Sequence, residues 1–78
     1  IVTKGIYRAF VEKLSARIDS LVVGDALDPK THIGPVVSGD QLEQNLSYVA
    51  IGRDEGAKLV KGGERLKGAT PGYYMRPA

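Results

Sequence analysis

Three amide side chains, Gln41, Gln44 and Asn45, follow Ser38-Gly39-Asp40 closely, and they are the residues here best suited to bind something. On the first turns of a helix, free N–H groups and the helix dipole favour polar or anionic ligands. Uncharged amides there can bond ribose or adenine edges. A capped, solvated helix start explains the same residues, and the sequence leaves both readings open. Other candidates are thinner. His32 is the single histidine, with no second His or Cys to share a metal and no serine elbow beside it. Asp25 and Asp28 could be a carboxylate pair for acid–base work, but beside Gly24 and Pro29 they read as turn formers that bond neighbouring amides. Gly62-Gly63 lacks the G-x-G-x-x-G pattern and a following helix to receive a phosphate, so a hairpin-like turn suffices. With no cysteine there is no thiol nucleophile, no disulfide and no thiolate metal site. No catalytic or metal-ligating residue is expected from these 78 residues.

The elements that must position these side chains are legible from periodicity. From Gly5 to Leu21, Tyr7, Phe10, Val11, Leu14, Ile18 and Leu21 form one apolar stripe, with Arg8, Glu12, Lys13, Ser15 and Asp19 opposite. This predicts a helix with one side buried, its aromatic pair Tyr7 and Phe10 serving core packing. Residues 23–38 show neither period and are punctuated by Gly24, Pro29, Gly34 and Pro35, so they read as a long ordered connector. Ser38-Gly39-Asp40-Gln41 fits a reciprocal capping box, and Asp40 suits the positive end of a helix dipole. That second helix runs through Leu42, Leu46, Val49 and Ala50, carries Gly52 at some cost, and ends at Gly56. Residues 57–61 predict a short strand, residues 64–72 a loop, and residues 73–76 a second strand; residues 1–3 read as the end of another. The layout is α/β: two helices with short strands and a long ordered connector.

Composition bounds the partners. A chain of 78 residues forms at most one small domain, burying only about 60% of its unfolded surface. At 42% hydrophobic and 26% charged it is ordinary globular material. The net charge of +2 is spread among interleaved acids and bases, which argues against a nucleic-acid surface. No apolar run approaches a membrane span, and no signal peptide is visible. The chain opens at Ile1 without a methionine and stops at Ala78 just after a β segment, so a piece of a longer polypeptide is expected.

Read from end to end, the chain resembles the catalytic domain of the NAD(P)-dependent aldehyde dehydrogenase superfamily. The likeness is carried by Ile6-Tyr7-Arg8-Ala9-Phe10-Val11-Glu12-Lys13-Leu14, Val23-Gly24-Asp25-Ala26-Leu27-Asp28-Pro29, and Ile33-Gly34-Pro35-Val36-Val37-Ser38 with Gln41-Leu42. It continues in Gly52-Arg53-Asp54-Glu55-Gly56-Ala57-Lys58-Leu59, Gly62-Gly63 and Gly72-Tyr73-Tyr74-Met75-Arg76-Pro77. In wording it is similar to the bacterial 2-oxoglutarate semialdehyde dehydrogenases. The resemblance implies a C-terminal-side fragment of such a catalytic domain, residues 1–78, within a parent that oxidises an aldehyde through a cysteine thiohemiacetal. In the family that cysteine and the glutamate base precede the segment matching Ile1, and a cofactor-ribose glutamate follows the one matching Ala78. The resemblance also implies cofactor contacts, to NAD or NADP, at Gln41 and Gln44. Relatives often carry lysine at the latter position, which removes a charged contact here. A cytoplasmic homo-oligomeric parent acting on an aldehyde, without nucleic acid or membrane, is the matching expectation. The rival is an independent small α/β interaction module without catalytic activity.

Overall fold

The computed structural model describes residues 1–68 and 70–78. Its element order is helix α1 (Tyr7–Asp19), helix α2 (Gly39–Asp54), strand β1 (Arg65–Leu66) and strand β2 (Tyr74–Met75). The α/β layout with a long connector is therefore present, with several boundaries different from those expected.

Helix α1 starts two residues later than the stripe implied, because Ile6 occupies the N-cap and offers no side-chain acceptor. It stops at Ser20, whose hydroxyl donates to the Arg17 carbonyl at 2.7 Å. Its apolar stripe is real, but the expectation of a buried side is corrected: no residue of α1 is buried, and Phe10 and Leu14 are each 46% exposed. Amphipathicity records what a helix face is suited to meet; among the described residues this one is covered only in part, with Val11 and Ile18 half-buried. The core reading of Tyr7 and Phe10 is corrected with it.

Helix α2 has both ends where its signals lie. Ser38 is in extended conformation and accepts the Gln41 N–H at 3.1 Å, the cap expected of it. At the other end Gly56 takes φ +92°, the Ala57 N–H donates to the Gly52 carbonyl at 2.9 Å, and the Gly56 N–H to that of Arg53 at 3.0 Å. This pair of bonds is a Schellman termination.

The strands depart furthest from expectation. Residues 57–61 form no ladder, nor do residues 1–3, because a strand needs a partner and none lies beside them among the described residues. Part of the expected 64–72 loop instead forms β1, which pairs antiparallel with β2 in the register Arg65↔Met75 and Leu66↔Tyr74. Bonds from Arg76 N–H to the Glu64 carbonyl (2.9 Å) and from Gly63 N–H to the Arg76 carbonyl (3.1 Å) prolong this pairing. Gly62 and Gly63, at φ +59° and +80°, make the turn into it. A Cβ on Gly62 would overlap the Pro77 carbonyl, so close backbone approach as well as conformation requires glycine there.

The connector is a closed loop. Val23 and Ile33 form a parallel bridge, Gly24 N–H donates to the Ile33 carbonyl at 3.0 Å, and the N–H groups of His32 and Ile33 both donate to the Val22 carbonyl, at 2.8 and 3.1 Å. Buried hydrophobic side chains among the described residues are Leu42, 1% exposed, and Tyr74, 4% exposed. The Tyr74 ring is flanked by Gly68 and Gly72, and its hydroxyl lies 3.0 Å from Thr70 Oγ1.

Candidate functional site at the start of the second helix

Asp25 and Asp28 do the turn-forming work that their neighbours implied. Asp25 Oδ1 accepts the Leu27 N–H at 2.8 Å, and Asp28 Oδ1 accepts the Lys30 N–H at 2.9 Å. A carboxylate oxygen already engaged by a backbone amide in its own turn is a structural group. His32 is likewise committed: its Nδ1 accepts the Val22 N–H at 3.1 Å, closing the mouth of the connector. Among the described residues no group of three or more His, Cys, Asp or Glu could hold a metal ion.

What the fold does bring together is the amide group on α2. Gln41 and Asn45, one turn apart, are both half-buried and bonded to each other, Gln41 Nε2 donating to Asn45 Oδ1 at 2.9 Å. This corrects the reciprocal capping box, in which the Gln41 side chain would have turned back to the N-cap. It instead lies along the helix, and only the Ser38 half of that box forms. The amide-to-amide bond leaves Gln41 Oε1 as an acceptor and Asn45 Nδ2 as a donor. Gln44 stands beside them, exposed, with its backbone carbonyl accepting from Ser47 Oγ at 2.7 Å. Asp40 is in the first turn, where negative charge suits the dipole. Three uncharged amides presenting both donor and acceptor at a helix start suit a polyhydroxylated ligand better than a free phosphate.

The scaffold beneath the amides is firm on one side. Leu42, the most deeply buried side chain, lies next to Gln41, and Arg65 reaches Glu43 at 3.9 Å across from β1. On the other side, Tyr73 meets the helix entrance: its carbonyl accepts the Val36 N–H at 2.7 Å, and its ring lies against Gly39. Sequence reasoning missed Tyr73, since local patterning marks it only as a strand residue. The other ion pairs, Lys61 to Asp19 at 2.6 Å and Arg76 to Glu64 at 3.1 Å, are partly or well exposed and lie away from this site.

Comparison with known proteins gives consistent matches. The family model described as "Aldehyde dehydrogenase family" matches residues 1–78. The chain is 47% identical over 76 residues to a betaine aldehyde dehydrogenase of Cereibacter sphaeroides, covering 97% of this chain and 15% of that protein. It is 44% identical over 80 residues to an alpha-ketoglutaric semialdehyde dehydrogenase of Bacillus subtilis, covering 100% of this chain and 16% of the relative. Among solved structures, an NAD+ complex of an aldehyde dehydrogenase from Bacillus cereus superposes with TM-score 0.89 at 33% identity, over 97% of this chain and 15% of that one. The chain thus spans about 15% of the length of the relatives it matches.

Proposed function

We propose, from the premise that this chain belongs to the aldehyde dehydrogenase family, that it is a C-terminal-side part of the catalytic domain of an enzyme oxidising an aldehyde to a carboxylic acid with NAD+ or NADP+. The observation that supports this reading best is the likeness of sequence and fold over nearly the whole chain. The residues at that entrance suit a ribose. Gln41 Oε1 would accept from a hydroxyl, Asn45 Nδ2 would donate to one, and Gln44 is free to reach outward. When bound, the dinucleotide supplies a hydride acceptor. These residues bind and orient; none of them moves a proton or attacks carbon.

The same proposal assigns the sulfur nucleophile and the carboxylate base of a thiohemiacetal route to the parent polypeptide outside these 78 residues, since this chain contains no cysteine. Relatives named for betaine aldehyde and for alpha-ketoglutaric semialdehyde match almost equally well, so the aldehyde is set elsewhere in the parent. A cytoplasmic, homo-oligomeric parent is part of this proposal. Among the described residues no helix is long and apolar enough to cross a membrane.

The test is a pair of assays. The full-length polypeptide containing this segment should form NADH or NADPH on addition of an aldehyde and lose that activity on thiol alkylation. The isolated 78-residue chain should form neither. Turnover by the purified 78-residue chain would overturn the assignment of the nucleophile, and a full-length protein inert toward a panel of aldehydes would overturn the reaction.

A further inference from the structure

Resting on that cofactor reading, we propose that Tyr73 is a positioning residue, which holds the entrance of α2 and thereby the presentation of Gln41 and Asn45 to the dinucleotide. Tyr73 grips both ends of the short segment that leads into the helix. At one end its carbonyl accepts the Val36 N–H at 2.7 Å. At the other its ring lies over Gly39, so close that a Cβ there would sit 3.3 Å from Cε1 and 3.5 Å from Cζ. Between them Val37 is 88% exposed and Ser38 is spent on capping the Gln41 N–H, so neither fixes the angle of approach by packing.

The strand pleat gives the reason Tyr73 is available for this. Successive side chains alternate between faces, and Tyr74 is the one turned into the core, 4% exposed. Its neighbour must point the other way, onto the helix entrance. Gly39 and Tyr73 are then complementary, the absence of a side chain at one making room for the ring of the other. The tyrosine hydroxyl lies farther off, 3.7 Å from where a Cβ on Gly39 would sit, and the ring makes the closer contact. A displacement of the first turn would carry Gln41 with it, because the Gln41 amide is itself tied to Ser38.

The experiment uses the full-length enzyme, with Kd for NAD+ and NADP+ measured by calorimetry and KM for the aldehyde measured separately. Tyr73→Ala should weaken the preferred dinucleotide roughly threefold to tenfold, the range of one mispositioned hydrogen bond, with aldehyde KM unchanged. Tyr73→Phe should bind as the wild type does. Gly39→Val, which drives the ring away, should weaken binding similarly. The double variant Gly39→Val/Tyr73→Ala should be no weaker than the worse single one. If Tyr73→Ala fails to fold, Gly39→Val carries the test alone. Wild-type dinucleotide affinity in both variants, with Gln41→Ala impaired, would overturn the role of Tyr73 and leave the cofactor reading standing. Wild-type affinity in Gln41→Ala would instead remove the cofactor reading and this role together. A Tyr73→Phe enzyme as weak as Tyr73→Ala would also overturn it, since the hydroxyl would then be responsible.

Discussion

At position 41 the backbone and the side chain serve different ends. The amide N–H is consumed by Ser38 in starting the helix, while the half-buried side-chain amide is held by Asn45 through its nitrogen, which leaves the oxygen as an acceptor. Gln44 has no such restraint and is exposed. Ordering a free side chain on binding costs about 0.5–1.5 kcal/mol, which offsets most of what a typical hydrogen bond returns. The two glutamines should therefore differ. On the proposed cofactor role, Gln41→Ala in the full-length protein is expected to weaken dinucleotide binding about fivefold, roughly one hydrogen bond, and Gln44→Ala by less than about twofold. Calorimetric titration distinguishes them, and equal losses would mean that Asn45 does not preorganise the site.

Among the elements, what could be read from the chain depended on whether the cause is local. Ser38 and Gly56 act within one turn of themselves, and both ends of α2 lie where those residues put them. Asp25 and Asp28 likewise turn the connector through bonds to amides two residues on. The pairing of β1 with β2 is different. Arg65 and Leu66 carry little strand signal of their own, and residues 57–61 carry a good one, yet only the former have a partner. The candidate amides were legible as a cluster, but the bond between Gln41 and Asn45 depended on rotamers that spacing does not specify.

Two glycines give a test at this scale. Gly62→Ala places a Cβ against the Pro77 carbonyl at a positive φ, and should destabilise the full-length protein by about 2 kcal/mol or more. Gly52 lies inside α2 with open space where a Cβ would go, so Gly52→Ala should stabilise by about 0.5–1 kcal/mol. Chemical denaturation reads both, and opposite signs are the expected result.

For the whole molecule, shape and area agree. The radius of gyration is 14.2 Å, against about 11.5 Å for a compact domain of this length. The accessible surface is 6321 Å², against about 4,600 Å² for a folded monomer of this mass. The excess, about 1,700 Å², is roughly twice what each partner buries in a standard protein interface, about 800 Å². Large apolar side chains are exposed along α1, at Tyr7, Phe10 and Leu14, and elsewhere, at Leu27, Val37 and Tyr48. On its own, the 78-residue chain is expected to self-associate. Sedimentation velocity at high concentration should show species larger than 8.4 kDa, and a single monomer boundary throughout would contradict the expectation.

The bridge at the mouth of the connector also bears on the order in which structure forms. Val22 and His32 are ten residues apart along the chain, a separation that an unfolded polypeptide closes by local diffusion in about 10–100 ns. The connector can therefore take its shape early, without waiting for distant segments to be found. Once it is closed, the two helices are joined by a preformed corner, and the slow search is left to the surfaces that have no partner nearby.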